Sequence, residues 1–165
     1  MDETTPAQNR LQFRAVGPDD VDALHAACLA DWPRYEVERV VQLALRVARD
    51  RRGVGVIAAR EAGDGAPVGF GLLTLWPHAA EVSDLTVAPA LRGQGIGTAL
   101  LRHLECAARA MQAERLEIGV AARNTRALAL YRRLGFVEDR RVELDLGEGT
   151  EVVLYLSKAL GQEVT

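Results

Sequence analysis

The sequence predicts a mixed α/β fold: one domain on a twisted mixed sheet of about six to seven strands, with about four helices on its two faces. Three observations carry that reading. The chain has 165 residues, room for one domain and not for a comfortable second. Apolar residues follow strand periods in some segments and helical spacing in others, in the order β-α-α-β-β-β-α-β-α-β-β. Hairpin signals join strands in the first half and helices join them in the second, so antiparallel and crossover pairing share one sheet.

The elements follow in order. Residues 1–10 read as a disordered tail, with the domain over 11–160. Leu11–Val16 is a short strand. Gly17-Pro18-Asp19-Asp20 makes a turn and a helix start, its acids suited to a helix N-terminus, and the first helix runs to about Ala30. Trp32-Pro33 breaks it. A second helix, Arg34–Asp50, keeps Val37, Val40, Val41, Ala44, Val47 and Ala48 at helical spacing. Val54–Arg60, Pro67–Trp76 and Ala80–Val87 are strands, the first two joined by a Gly63-Asp64-Gly65 turn. Gly95–Gln112 is a long amphipathic helix with Ile96, Leu100, Leu104, Ala107 and Met111 on one side. Leu116–Ala121 is a strand, and Asn124–Leu134 is a helix capped by Gly135. Phe136–Leu144 and Glu151–Ser157 close the chain around a Gly147-Glu148-Gly149 turn.

Composition narrows the function classes. The chain is 48% hydrophobic and 26% charged, near the norm for a soluble globular protein. No apolar run reaches the roughly 18–20 residues of a membrane span, and Met1–Arg10 lacks the basic start and apolar middle of a signal peptide; the expected location is the cytoplasm. The net charge of −3 gives no reason to expect nucleic acid or membrane as a partner. Cys28 and Cys106 have no Cys-x-x-Cys or nearby His partner, so no metal site is expected and both read as small helix-packing residues. Lys158, the single lysine, lies near the C-terminus, which speaks against Schiff-base or P-loop chemistry.

The segment richest in chemistry is Leu85-Thr86-Val87-Ala88-Pro89-Ala90-Leu91-Arg92-Gly93-Gln94-Gly95-Ile96-Gly97-Thr98. A strand ends at Val87, and alternate glycines lead directly into a helix. Glycine lets backbone approach a ligand closely. The first helical turn offers free N–H groups and a partial positive charge, a site for phosphate or pyrophosphate. Arg92 adds a charged fork. The spacing is not the Rossmann Gly-x-Gly-x-x-Gly, and a P-loop would need Gly-Lys-Ser/Thr. The segment matches Arg-x-x-Gly-x-Gly; alone, that also fits a tight connection without a ligand.

Further on, Asn124-Thr125-Arg126-Ala127-Leu128-Ala129-Leu130-Tyr131-Arg132-Arg133-Leu134-Gly135-Phe136 supplies a second motif, Asn-x-x-Ala-x-x-x-Tyr-x-x-x-Gly-Phe. With both motifs in order, the chain resembles the GNAT superfamily of acetyl-CoA-dependent N-acetyltransferases, from Leu11 to about Lys158. The resemblance implies that the strand before the loop splays from its neighbour and that the pantetheine arm of acetyl-CoA lies in the gap along Leu85, Thr86 and Val87. It implies that the Leu85 N–H polarises the acetyl carbonyl in the manner of an oxyanion hole. The pyrophosphate is then held by amides of Gly93, Gln94, Gly95, Ile96, Gly97 and Thr98, after Arg92. Asn124 matches a position that bonds the cofactor arm, and helix N-capping is an equally available role. Tyr131 matches the tyrosine that protonates the departing thiolate; a packing tyrosine is the alternative.

Members of the family often place a general base about four residues before the oxyanion N–H, which is Glu81 here; a solvated residue at a strand start is the alternative. Strand alternation puts Glu81, Ser83 and Leu85 on one face and Asp84 on the other. Asp84 and His78 are reserve bases. His103 reads as structural, and His25 has no nearby partner in sequence. The acceptor amine is expected against Cys28–Glu38, with Trp32 either lining it or anchoring the loop, and against Arg140–Thr150. The implied activity is acetyl transfer to a primary amine, that of a small molecule; peptide N-termini, protein lysines and a non-catalytic acetyl-CoA sensor are the alternatives. The final hairpin offers a surface for a homodimer.

Overall fold

The computed structural model describes residues 10–145 and 149–161. Within them seven strands and four α-helices follow the expected order. These are β1 (Leu11–Ala15), α1 (Val21–Ala27), α2 (Arg34–Arg49), β2 (Gly53–Arg60), β3 (Pro67–Leu75), β4 (Ala79–Val87), α3 (Ile96–Ala110), β5 (Arg115–Ala121), α4 (Thr125–Arg133), β6 (Val137–Asp145) and β7 (Thr150–Ala159). Residues 1–9, most of the expected tail, and Gly147 and Glu148 of the closing turn lie outside the described residues. No described helix is long and apolar enough to cross a membrane.

One seven-stranded sheet runs β1-β2-β3-β4-β5-β7-β6. Its β4–β5 pair is parallel, because α3 carries the chain back across the sheet; the other neighbours are antiparallel. Helices cover both faces. α1 and α2 bury Leu24, Val37, Val41 and Ala44 against Ile57, Phe70 and Leu72. α3 and α4 bury Ile96, Leu100, Leu104 and Leu128 against Val56, Val82, Leu116, Ile118 and Leu154.

Several details depart from the expectation. The first helix ends at Ala27, not near Ala30, after a 3₁₀ turn at Pro18–Asp20. The Leu29 amide reaches back to the Leu24 carbonyl and Trp32 to Leu29, both at 3.0 Å, which curls the chain away from helical register. Ala48 is exposed, so the buried stripe of α2 is narrower than its apolar spacing. In α3 the buried line includes Leu101, Glu105 and Ala108, while Ala107 and Met111 are half-buried. Cys28 is buried, but Cys106 is exposed and is not a packing residue. Lys158 has a structural role: its Nζ lies 3.0 Å from Glu105, which also pairs with Arg109 at 2.8 Å. That pairing compensates the desolvation of a carboxylate only 7% exposed.

Two irregularities open the middle of the sheet. β4 pairs with β5 only over Ala79–Val82 and Arg115–Ile118. Beyond that, β4 stays with β3 as far as Val87, and β5 stays with β7 as far as Ala121. The strands therefore diverge into a V, the splay that the resemblance implied. The second irregularity is a bulge. Leu72 pairs with Ser83 and Phe70 with Thr86, so Asp84 and Leu85 together oppose Gly71, and Asp84 takes the left-handed conformation at φ 54. The extra residue shifts the alternation by one. Leu85 and Val87 pack toward α3, while Thr86 turns to the α1 side and its hydroxyl donates to the Cys28 carbonyl at 3.5 Å. The expectation that Leu85 shares a face with Glu81 and Ser83 is therefore wrong, because simple alternation cannot cross a bulge.

Candidate active site

At the mouth of the V, Val87 leads through a 3₁₀ turn at Pro89–Leu91 into the glycine loop and α3. Gly93 and Gly95 hold φ of 79 and 82, which a residue with a Cβ adopts only under strain. Among the described residues no backbone carbonyl accepts from the amides of Gly93, Gln94 or Gly95, and the first helical bond is Ala99 to the Gly95 carbonyl at 3.0 Å. The amides of Ile96, Gly97 and Thr98 are therefore the orphan donors of a helix N-terminus. The loop and first turn present a row of N–H groups beside the positive end of the helix dipole.

These groups border an open cavity of about 440 Å³. Leu85, Thr86 and Val87 form its strand side. Arg92, Gly93, Gly95, Ile96, Gly97 and Thr98 form its loop side, and Asn124 and Tyr131 face them from α4. Of the residues expected at the cofactor, Gln94 alone does not line the cavity; its side chain accepts from Arg60 at 3.0 Å. Asn124 caps α4, its Oδ1 accepting from the Ala127 amide at 3.1 Å, which leaves the side-chain NH₂ for a ligand.

The cavity also has members that the sequence reading did not single out. Arg126 and Arg133 line it with Leu130 between them. A Cβ on Gly93 would lie 3.2 Å from the Arg126 guanidinium, so that arginine leans over the loop. The signal was the spacing of positions 126, 130 and 133, which share one face of α4. With Arg92, three guanidinium groups rim a space lined by amide donors.

Tyr131 is buried, 7% exposed, with its ring 6.1 Å from that of Phe136. Burial pushes its pKa above the ordinary tyrosine value. Its hydroxyl makes no hydrogen bond to the described residues, yet among those residues no buried side-chain polar atom lacks a partner. The hydroxyl must therefore reach the cavity.

Glu81 lies outside the cavity, half-buried on the sheet face shared by α1 and α2. It stands beside Glu117 in the parallel ladder. Burial is the first cause raising its pKa; Glu117 and Asp84 add to the rise, and Arg140 opposes it. Asp84, at the bulge, is also shifted up by burial, against a hydrogen bond from Ser83. The histidines stand apart. His78 is exposed, 3.9 Å from Glu114. His103 stacks on Phe13 with centroids 4.4 Å apart, and burial lowers its pKa. His25, for which the sequence offered no partner, bonds the Trp32 carbonyl at 2.9 Å. Trp32 packs against the α1–α2 core and acts as an anchor for its loop.

A left-handed glycine loop entering a helix, a split β4–β5 pair and a tyrosine facing both define an α/β fold with an anion-binding cleft in its sheet. The model of the acetyltransferase (GNAT) family matches residues 19–136, and the chain belongs to that family. It is 39% identical over 75 residues to the streptothricin acetyltransferase of Streptomyces lavendulae, covering 44% of this chain and 40% of that protein. It is 37% identical over 79 residues to a peptidyl-lysine N-acetyltransferase of Salmonella typhimurium, covering 48% of each chain. The chain thus aligns with less than half the length of either relative. The crystal structure of a ribosomal-protein-alanine N-acetyltransferase from Brucella melitensis superposes with a TM-score of 0.74 at 28% identity, covering 90% of this chain and 99% of that one.

Proposed function

We propose that this chain transfers an acetyl group from acetyl-CoA to the primary amine of a small molecule, by direct attack within a ternary complex and in the cytoplasm. The observation that carries this reading is the convergence on one cavity of the glycine-loop amides, three arginines and the Tyr131 hydroxyl. The chemistry of that donor set fits the cofactor: amide N–H groups and guanidinium forks suit a pyrophosphate and a phosphate.

Bound acetyl-CoA supplies an activated thioester. The loop amides and Arg92, Arg126 and Arg133 would hold its phosphates, and the free NH₂ of Asn124 would bond its arm. At the bulge, the Leu85 N–H would be the donor to the thioester oxygen, stabilising the charge that develops there. Glu81 takes a proton from the acceptor ammonium, directly or through water, with Asp84 in reserve. The neutral nitrogen would form the C–N bond as the C–S bond breaks, with Tyr131 giving its proton to the departing sulfur and recovering one from the nitrogen as the amide forms.

Streptothricin acetylation by one relative supports a small-molecule acceptor. A second reading, a peptide or lysine acceptor, has its own support: the other curated relative acts on peptidyl-lysine.

Thiol release from acetyl-CoA across polyamines, amino acids, aminoglycosides and short peptides separates these readings. Turnover on one class identifies the acceptor. Acetyl-CoA binding without turnover on any class would leave a sensing module, and no binding would end the proposal. In the same assay Glu81→Gln lowers kcat/KM about a hundredfold, the usual scale for a lost general base. Arg126→Ala raises KM for acetyl-CoA about tenfold with little change in kcat, because a charge-assisted contact is lost equally from ground and transition states. A KM within about twofold of wild type would remove Arg126 from the phosphate site.

A further inference from the structure

The sheet face beside Glu81 carries an arrangement that the cofactor cavity does not use. α1 and α2 cover that face over β2 and β3 and leave β5, β7 and β6 open. Gly119 on β5 is paired with Tyr155 on β7, and Tyr155 with Arg140 on β6. Because Gly119 has no side chain, the Tyr155 ring lies down over β5; a Cβ there would sit 3.0 Å from the ring's Cε1. The Arg140 guanidinium stacks on the same ring, 4.4 Å from its centroid. Among the described residues Arg140 has no ion pair, so the ring is what holds an exposed arginine in place. Its side chain therefore runs from β6 across β7 toward β5.

The next strand carries Glu81. The charged groups that act on it are Glu117 from β5, Asp84 on its own strand and Arg140 from β6. Its partner on β3 is the uncharged Thr74. Glu117 is engaged by Arg115 at 2.9 Å. Both acids favour a protonated Glu81, and Arg140 is the cation that opposes them.

We propose that Arg140 is a positioning residue for acetyl transfer: stacked on Tyr155 above the bare Gly119, it lays a fixed positive charge toward Glu81 and sets that carboxylate up to take the acceptor's proton. The proposal rests on the reading of Glu81 as the base. A nearby cation favours the ionised carboxylate. Without it Glu81 keeps its proton to higher pH, and the acid limb of kcat/KM moves up. Tyr155→Leu has the same effect by a different route, since it releases the arginine and leaves the charge in the chain.

The test is a carbon NMR titration of the Glu81 carboxyl, assigned with Glu81→Gln, alongside the pH profile of kcat/KM. Both are measured in wild type, Arg140→Ala, Arg140→Lys and Tyr155→Leu. The expected result is a higher Glu81 midpoint in Arg140→Ala and Tyr155→Leu, with partial return in Arg140→Lys. On the acid limb, kcat/KM falls about threefold in Arg140→Ala, the scale of one charge acting through a largely aqueous path. A Glu81 midpoint unchanged in Arg140→Ala overturns the proposal, and so does a midpoint that moves while the limb stays. A Glu81→Gln variant with the wild-type rate overturns the base assignment instead, and it does so whatever the NMR midpoint shows.

Discussion

Tyr131→Phe lowers kcat about a hundredfold and leaves KM for acetyl-CoA nearly unchanged. The substitution removes one oxygen and keeps the ring, so the contact with Phe136 and the packing of α4 survive. What is lost is the hydroxyl that opens onto the cavity opposite the glycine loop. If that hydroxyl protonates the leaving sulfur, its absence is felt in the transition state and not in cofactor binding, which places the loss in kcat. Burial holds the hydroxyl protonated beyond its ordinary range. The wild-type rate should therefore show no loss from tyrosine ionisation until pH rises above the usual value of about 10. Steady-state kinetics on both proteins, with thermal unfolding as a control, checks this. A variant within about twofold of wild-type kcat would return Tyr131 to a packing role.

Leu104→Ala is expected to cost about 3–5 kcal/mol of stability. Leu104 is fully buried in α3. It fills the space over Gly71, where an added Cβ would lie 2.8 Å from its Cδ1. Truncation leaves a void between α3 and β3 that neighbouring backbone cannot close, so the cavity term adds to the transfer term. For a domain this size such a loss lowers the melting temperature by about 10 °C. It consumes a large share of the roughly 5–15 kcal/mol by which domains are stable. Because α3 carries the phosphate-binding turn at its N-terminus, saturating acetyl-CoA should recover part of the stability by mass action. Urea unfolding with and without acetyl-CoA measures both effects. A cost below about 1 kcal/mol would show that the core repacks around the void.

Local chemistry made much of the fold legible in advance. Helical spacing from Ile96 to Leu104, the Asn124 cap, Gly135 after α4 and the Gly63-Asp64-Gly65 turn each act within a few residues of themselves. Their outcomes appear in the structure at or near the expected positions. The phosphate loop was legible for the same reason, since glycines at 93 and 95 permit the left-handed conformations that the loop takes. The base region was not. Period-two alternation assumes one residue on β4 for each residue on β3. Whether Asp84 and Leu85 share a partner depends on Gly71, a residue on another strand.

The sequence by itself determined the order of elements, the two motifs that mark the family and the ends of every helix but the first to within about two residues, because those depend on neighbours along the chain. Only the tertiary structure decided which faces meet. It put β7 between β5 and β6, parted β4 from β5 after Val82 and leaned Arg126 over Gly93. It also buried Glu105 between Arg109 and Lys158 and stacked Arg140 on Tyr155 over Gly119. The physical reason is common to all of them. Each arrangement is set by register between strands, or by contact between elements, whose partners lie far apart in the chain, and such pairings leave no periodic trace in the residues that make them.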